Sequence, residues 1–243
     1  MGDFDGLTVL VTGAAGGIGQ AMAECFAAAG ARLALVDVKD AGDLAAGLGP
    51  QHRAFTLDLA DPQAIADMVP QIGDDMGIDV LINNAGLGIV FPGAETRIAD
   101  WDATMAINLR APWLMASAAL PFLKRSGRGR VINISSQAGV IAIDEHAAYG
   151  ASKAGLNLLT RVLAVEWAGF GITVNAIAPT VVETPMALVG WAGEKGEQAR
   201  RDIPVGRFAR PSEVAAAARY LASDQAGIVT GEVLMTDGGY SVR

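Results

Sequence analysis

The sequence predicts an α/β protein of the doubly wound type, a parallel seven-stranded sheet with helices on both faces. Three observations carry that prediction. Short β-rich apolar runs alternate with Ala- and Leu-rich stretches, the order expected of strands joined by helical crossovers. The runs are nearly continuously apolar rather than alternating, as strands covered on both sides require. The first run passes directly into a glycine-rich turn and a helix.

The chain has 243 residues and no abrupt change of composition, which predicts one domain over residues 1–243. The first strand, residues 7–13, leads into "TGAAGGIG", with Gly13, Gly17 and Gly19 before an Ala-rich helix. A strand, a glycine turn and a helix N-terminus together form a pyrophosphate site, because the main chain can approach the ligand and its N–H groups point at it. The second strand, residues 31–37, ends on Asp37. An acid there accepts hydrogen bonds from an adenosine ribose and repels a 2′-phosphate, so the expected cofactor is NAD rather than NADP. The third and fourth strands are residues 52–58 and 79–86. Asn108 follows in the helical stretch "MAINLRAPWLM", with Pro112 four residues on. Proline brings no N–H to the carbonyl at i−4, so the Asn108 carbonyl is expected to be free to hold a water. The remaining strands are residues 130–136, 172–179 and 232–239. Between the last two, residues 184–207 are rich in glycine and charge and read as a helical lid over a cleft.

In "YGASK", Tyr149 and Lys153 stand four residues apart on one helical face. An ammonium about 4 Å from a phenol, at an effective dielectric near 20, is worth on the order of 4 kcal/mol. That would draw the phenol, ordinarily near 10, down by up to roughly three units and make it a usable base. Gly150, Ala151 and Ser152 are expected to leave room for cofactor and substrate.

Taken in order, "TGAAGGIG", Asp58 after the third strand, "NNAG", Asn108, Ser136 in "ISS", "YGASK", "NAIAP", "ETPM" and "DGG" resemble the short-chain dehydrogenase/reductase family over essentially the whole chain. The resemblance implies a Rossmann fold and a hydride transfer between NAD and a secondary alcohol or ketone. It implies Tyr149 as the acid–base, Lys153 on the nicotinamide ribose, Ser136 on the substrate oxygen and Asn108 in a proton relay. It implies a cofactor held by Gly13, Gly17, Ile18, Gly19, Asp37, Asp58, Leu59, Asn84, Ala85, Gly86, Pro179 and Thr184, besides Tyr149 and Lys153. It also implies a homotetramer, with "DGGY" at a subunit contact or close to the lid.

Thr180 stands where the family pattern has glycine after "NAIAP". With Gln137 and His146 it is a candidate substrate contact, beside Ser136 and Tyr149. Glu145, Glu183 and Trp191, with apolar Val140, Ile141 and Met186, complete a pocket suited to a polyol, sugar or small hydroxy compound. Two rivals are a 3-oxoacyl-carrier-protein reductase, which would favour NADPH and a basic docking face, and a nucleotide-sensing module, which would not need the Asn–Ser–Tyr–Lys set. The net charge of −8 argues against nucleic acid. No apolar run suits a membrane span, and two histidines and one cysteine form no metal cluster. The acidic N-terminus is unlike a signal peptide, and lone Cys25, read as a small buried hydrophobe, fits a reducing cytoplasm.

Overall fold

The structure, a computed structural model, describes residues 2–243, the side chain of Met186 excepted. Seven strands form one sheet: β1 (Thr8–Thr12), β2 (Arg32–Asp37), β3 (Arg53–Thr56), β4 (Val80–Asn83), β5 (Arg130–Ile134), β6 (Thr173–Pro179) and β7 (Val233–Thr236). Their order is β3-β2-β1-β4-β5-β6-β7, and every pair is parallel. The order reverses between β1 and β4, which opens a crevice at their carboxyl ends.

The continuous apolar runs explain themselves in the packing. In β1 all five residues are buried. Val9 and Val11 join Phe26, Val214 and Leu221 on one face, while Leu10 joins Leu81, Val131, Ile72 and Leu123 on the other. Helices α1 (Gly17–Ala28) and α9 (Pro211–Ala222) cover the first face. Helices α3 (Pro62–Met76), α5 (Ala111–Ser126) and α6 (Ala147–Trp167) cover the second. Helix α2 (Gly42–Leu48) and α4 (Ile98–Met105) lie outside these pairs. Local chemistry sets the ends. Asp61 caps α3 by accepting from Gln63 N and Ala64 N, and Gly127 closes α5 in the left-handed region at φ 69°. Cys25 is half-buried against the first core cluster.

The segment after β6 is helical, as the sequence predicts. It contains α7 (Pro185–Gly190) and α8 (Glu194–Asp202). Its two ends are tied together: Val182 and Ala209 form a β-bridge, with Ala209 N–H donating to Val181 O at 3.0 Å and Glu183 N–H to Ala209 O at 2.8 Å. Arg207 adds a bidentate pair to Glu213 at 2.8 and 2.6 Å. "DGGY" lies against this lid, with Val205 N–H donating to Gly238 O.

Candidate functional site

At the crevice, Gly13 has φ +66°, a conformation that glycine adopts without strain, and a Cβ there would meet Ala85 Cα at 2.8 Å. The β1 turn and the β4 end therefore touch. Asn84 ties them further, donating from its amide to the Thr12 and Gly13 carbonyls at 3.0 and 3.1 Å. That amide braces the turn, so its donors are engaged by the protein. Helix α1 starts at N-cap Gly16 with no capping side chain and no acid in its first turn. Its free N–H groups, with Gly17, Ile18 and Gly19, suit a dinucleotide pyrophosphate. Asp37 accepts from Ala15 N–H at 2.9 Å and Lys39 N–H at 2.9 Å, which holds the carboxylate at the rim of that turn. Asp58 is exposed and accepts from Ala60 N–H, whereas the Leu59 side chain is buried in the core. Only the Leu59 main chain is available to a ligand. Thr184 caps α7, its hydroxyl accepting from Ala187 N–H at 3.2 Å, and its methyl abuts Gly17.

The second half of the site comes from β5 and α6. Ser136, just past β5, accepts from Ala138 N–H at 3.2 Å and lies near enough to the Tyr149 phenol to draw its pKa down. Lys153 is 3% exposed and donates from Nζ to the Ile134 carbonyl at 2.8 Å. Nζ lies 5.7 Å from the Tyr149 ring centroid, and a Cβ on Gly86 would stand 3.6 Å from it. Burial pulls the Lys153 ammonium down from 10.5 to about 8. Burial pushes the Tyr149 phenol up from 10, against the nearby Ser136 hydroxyl that draws it down. In the protein alone the phenol thus lies above its ordinary value, whereas the sequence reading lowers it through Lys153 and an oxidised nicotinamide together.

Asn108 is fully buried in a π-helical turn, Ala106–Arg110, set between α4 and α5. A wider turn accommodates the missing N–H of Pro112 without breaking the helix. Its side chain clamps the loop after β4, accepting from Leu87 N–H at 2.8 Å and donating to Leu87 O at 2.9 Å. It also donates to Ser152 Oγ at 3.2 Å, and Ser152 donates to Tyr149 O at 2.7 Å. Two of the small residues of "YGASK" pack within the protein. Ser152 is fully buried and joins Asn108 to α6, and a Cβ on Gly150 would lie 3.0 Å from Ala138 O. Gly150 and Ser152 thus fit protein against protein, while Ala151 is exposed. Ser152 is the residue that sequence reasoning missed. Beneath it, Asn83 donates to Asn133 Oδ1 at 2.9 Å, and Asn133 donates to Thr160 Oγ1 at 2.9 Å, which registers α6 on the sheet.

Around Tyr149, Gln137 is 7% exposed and its Oε1 has no partner. The His146 ring lies edge-on to Tyr149, with centroids 5.8 Å apart at 74°. Thr180 is buried at the end of β6, its N–H donating to Thr236 O at 3.4 Å. Pro179 ends β6 beside it. Trp191 stacks edge-on with Phe208 inside the lid, and Val140 is 52% exposed beside the turn after Ser136. The Met186 side chain lies outside the described residues. Among the described residues no cluster of three His, Cys, Asp or Glu could hold a metal, and no helix is long and apolar enough to cross a membrane.

The profile of the family described as enoyl-(acyl carrier protein) reductase matches residues 13–241. A D-threitol dehydrogenase of Mycolicibacterium smegmatis is 44% identical over 99% of this chain and 95% of its own. The chain belongs to the short-chain dehydrogenase/reductase family. An NAD-dependent glycerol dehydrogenase of Listeria innocua is likewise 44% identical, over 96% of this chain and 93% of its own. Among solved structures, a proposed NAD(P)-dependent gluconate 5-dehydrogenase from Beutenbergia cavernae, with NADP bound at low occupancy, superposes with TM-score 0.94. It is 36% identical and covers 98% of both chains. As a member of this family, the protein is an oxidoreductase that uses a nicotinamide cofactor on a small-molecule substrate.

Proposed function

We propose that this short-chain dehydrogenase/reductase interconverts a polyol and its ketose with NAD(H). The finding that carries the polyhydroxy reading is the class of the relatives, a D-threitol dehydrogenase and an NAD-dependent glycerol dehydrogenase, each 44% identical over nearly the whole chain. Gln137 follows Ser136 directly and is buried, with Oε1 unpaired.

In this reading Tyr149 takes the hydroxyl proton while the carbinol carbon releases its hydride, and it returns the proton in the reverse direction. Ser136 holds the substrate oxygen beside the phenol. The nicotinamide, when bound, supplies the hydride acceptor. Lys153 holds its ribose, and Asn108 offers the carbonyl that Pro112 cannot serve to a relay water. The main chain of Gly13, Gly17, Ile18 and Gly19 takes the pyrophosphate. Asp58 and Leu59 N–H take the adenine, Ala85 and Gly86 the adenosine, and Pro179 with Thr184 the nicotinamide. Asp37 at the turn favours NAD, because a 2′-phosphate would be placed beside a carboxylate. His146 and Thr180 complete the substrate side.

We also propose a homotetramer. Ile98, Trp101, Trp113 and Val165 are 80, 40, 48 and 82% exposed on α4, α5 and α6. Trp113 also lines a groove of about 710 Å³ with Asp102, Met105, Leu109, Arg110 and Leu159. Apolar side chains left exposed on these helices suit a subunit contact. A second reading, reduction of a 3-oxoacyl group on a carrier protein, draws on the description of the family profile. NAD reduction across polyols, aldoses and secondary alcohols, with NADPH and an acetoacetyl thioester in parallel, separates the two. Polyol turnover with NAD, reduced about a hundredfold or more by Tyr149→Phe with NADH binding retained, is the expected result. Turnover confined to the thioester with NADPH overturns the polyol reading.

A further inference from the structure

His146 is built into the site more tightly than its place in the chain requires. It is the N-cap residue of α6, yet its side chain caps nothing. Serine, threonine, aspartate or asparagine would serve that position better. Its Nδ1 lies 2.5 Å from the Asp144 carbonyl. A carbonyl only accepts, so Nδ1 carries the proton, and in the neutral ring Nε2 is left as an acceptor. The backbone that delivers the ring is fixed as well. Glu145 has φ +64°, the one non-glycine residue in the left-handed region among the described residues. Its carbonyl accepts from Phe91 N–H at 3.0 Å, and Phe91 forms a β-bridge with His146. A strained residue held by cross-chain bonds marks a position kept for a purpose other than stability. The ring is then laid edge-on to Tyr149, 5.8 Å between centroids.

We propose that His146 is a specificity-determining residue, whose Nε2 accepts a hydrogen bond from the hydroxyl on the carbon next to the reacting carbinol. A phenol that takes one hydroxyl proton, with an imidazole ring held edge-on to it at 5.8 Å between centroids, suits a pair of hydroxyls on neighbouring carbons. The site therefore selects vicinal diols over simple secondary alcohols. This rests on the polyol reading above and names which feature of the polyol is read.

The test compares kcat/KM for threitol and glycerol with that for 2-butanol in wild type, His146→Phe and His146→Asn. Phenylalanine keeps an aromatic ring against Tyr149 and removes the acceptor, while asparagine restores one. NADH binding, by nicotinamide fluorescence, checks that each variant is folded. His146→Phe should lower the ratio of kcat/KM on the diols to that on 2-butanol by roughly ten- to a hundredfold, chiefly through KM for the diols. His146→Asn should recover part of the loss. A diol preference unchanged in His146→Phe, or an equal loss on 2-butanol, overturns the role of His146 and leaves the polyol reading in place. A wild type that prefers 2-butanol to every polyol overturns the polyol reading itself.

Discussion

Replacing Lys153 by methionine separates the free-energy cost of a buried ammonium from its use. Burial lowers that ammonium from 10.5 to about 8. At about 1.4 kcal/mol per unit, the charged form is about 3 kcal/mol less favourable in the fold than in the unfolded chain. Because the folded value lies below the unfolded one, the unfolded chain binds more protons between the two, and stability rises with pH there. The penalty is whole below about pH 8 and gone above 10.5. Methionine fills the space but leaves the Ile134 carbonyl without its 2.8 Å donor, a loss of about 1–3 kcal/mol. Near neutral pH the variant should therefore be as stable as wild type or more so, by up to about 2 kcal/mol, while turnover is lost. At pH 10.5 it should be the less stable protein. Urea denaturation of both proteins at one concentration reads this directly, because other titrating groups cancel in the difference. The difference should change by about 3 kcal/mol across that range. A difference that stays constant with pH would refute the claim that Lys153 is held inside at a desolvation penalty.

Three further outcomes follow from the geometry. Asp37→Ser with Val38→Arg should raise the NADP/NAD ratio of kcat/KM about tenfold or more; an unchanged ratio would remove Asp37 from cofactor choice. Arg207, followed by the Arg210 main chain, holds Glu213 down to about 2. This latch should be whole above about pH 4.5 and lost as pH falls toward 2, and Glu213→Gln should mimic the loss at neutral pH as faster hydrogen exchange in residues 183–208. Exchange confined to the termini would contradict it. Asn133→Ala removes two buried hydrogen bonds, leaving the Asn83 amide only the Pro112 carbonyl and the Thr160 hydroxyl only the Leu156 carbonyl, so stability should fall by about 1–3 kcal/mol, read by thermal denaturation.

The fold was legible because a parallel sheet covered on both faces leaves a plain signature: all seven predicted apolar runs contain the observed strands. The helical character of residues 184–207 was legible for the opposite reason, as a polar interval that broke the rhythm. Tyr149, Lys153, Ser136 and Asn108 do converge, since helical spacing and strand ends dictate where each lies. What sequence could not supply depends on contacts across the fold. Ser152 meets Asn108 over 44 residues and Asn83 meets Asn133 over 50, so neither bond leaves a local trace. The π turn at Asn108 answers a proline that could equally have produced a kink. The direction of the Tyr149 shift required the burial of the ring, which spacing alone does not give.

The two ends of the lid are fastened to each other before they are fastened to anything else. A loop closed at its base places little demand on the sheet for its length or content, because the entropy of closing it grows only slowly with added residues. With the Thr184 contact to Gly17 and the Val205–Gly238 bond kept, the rest of residues 183–208 can be lengthened, shortened or exchanged with those of a relative while the strands, the glycine turn and the Tyr149–Lys153 helix fold as before. In this scaffold, a new substrate can be acquired by transplanting one self-contained piece.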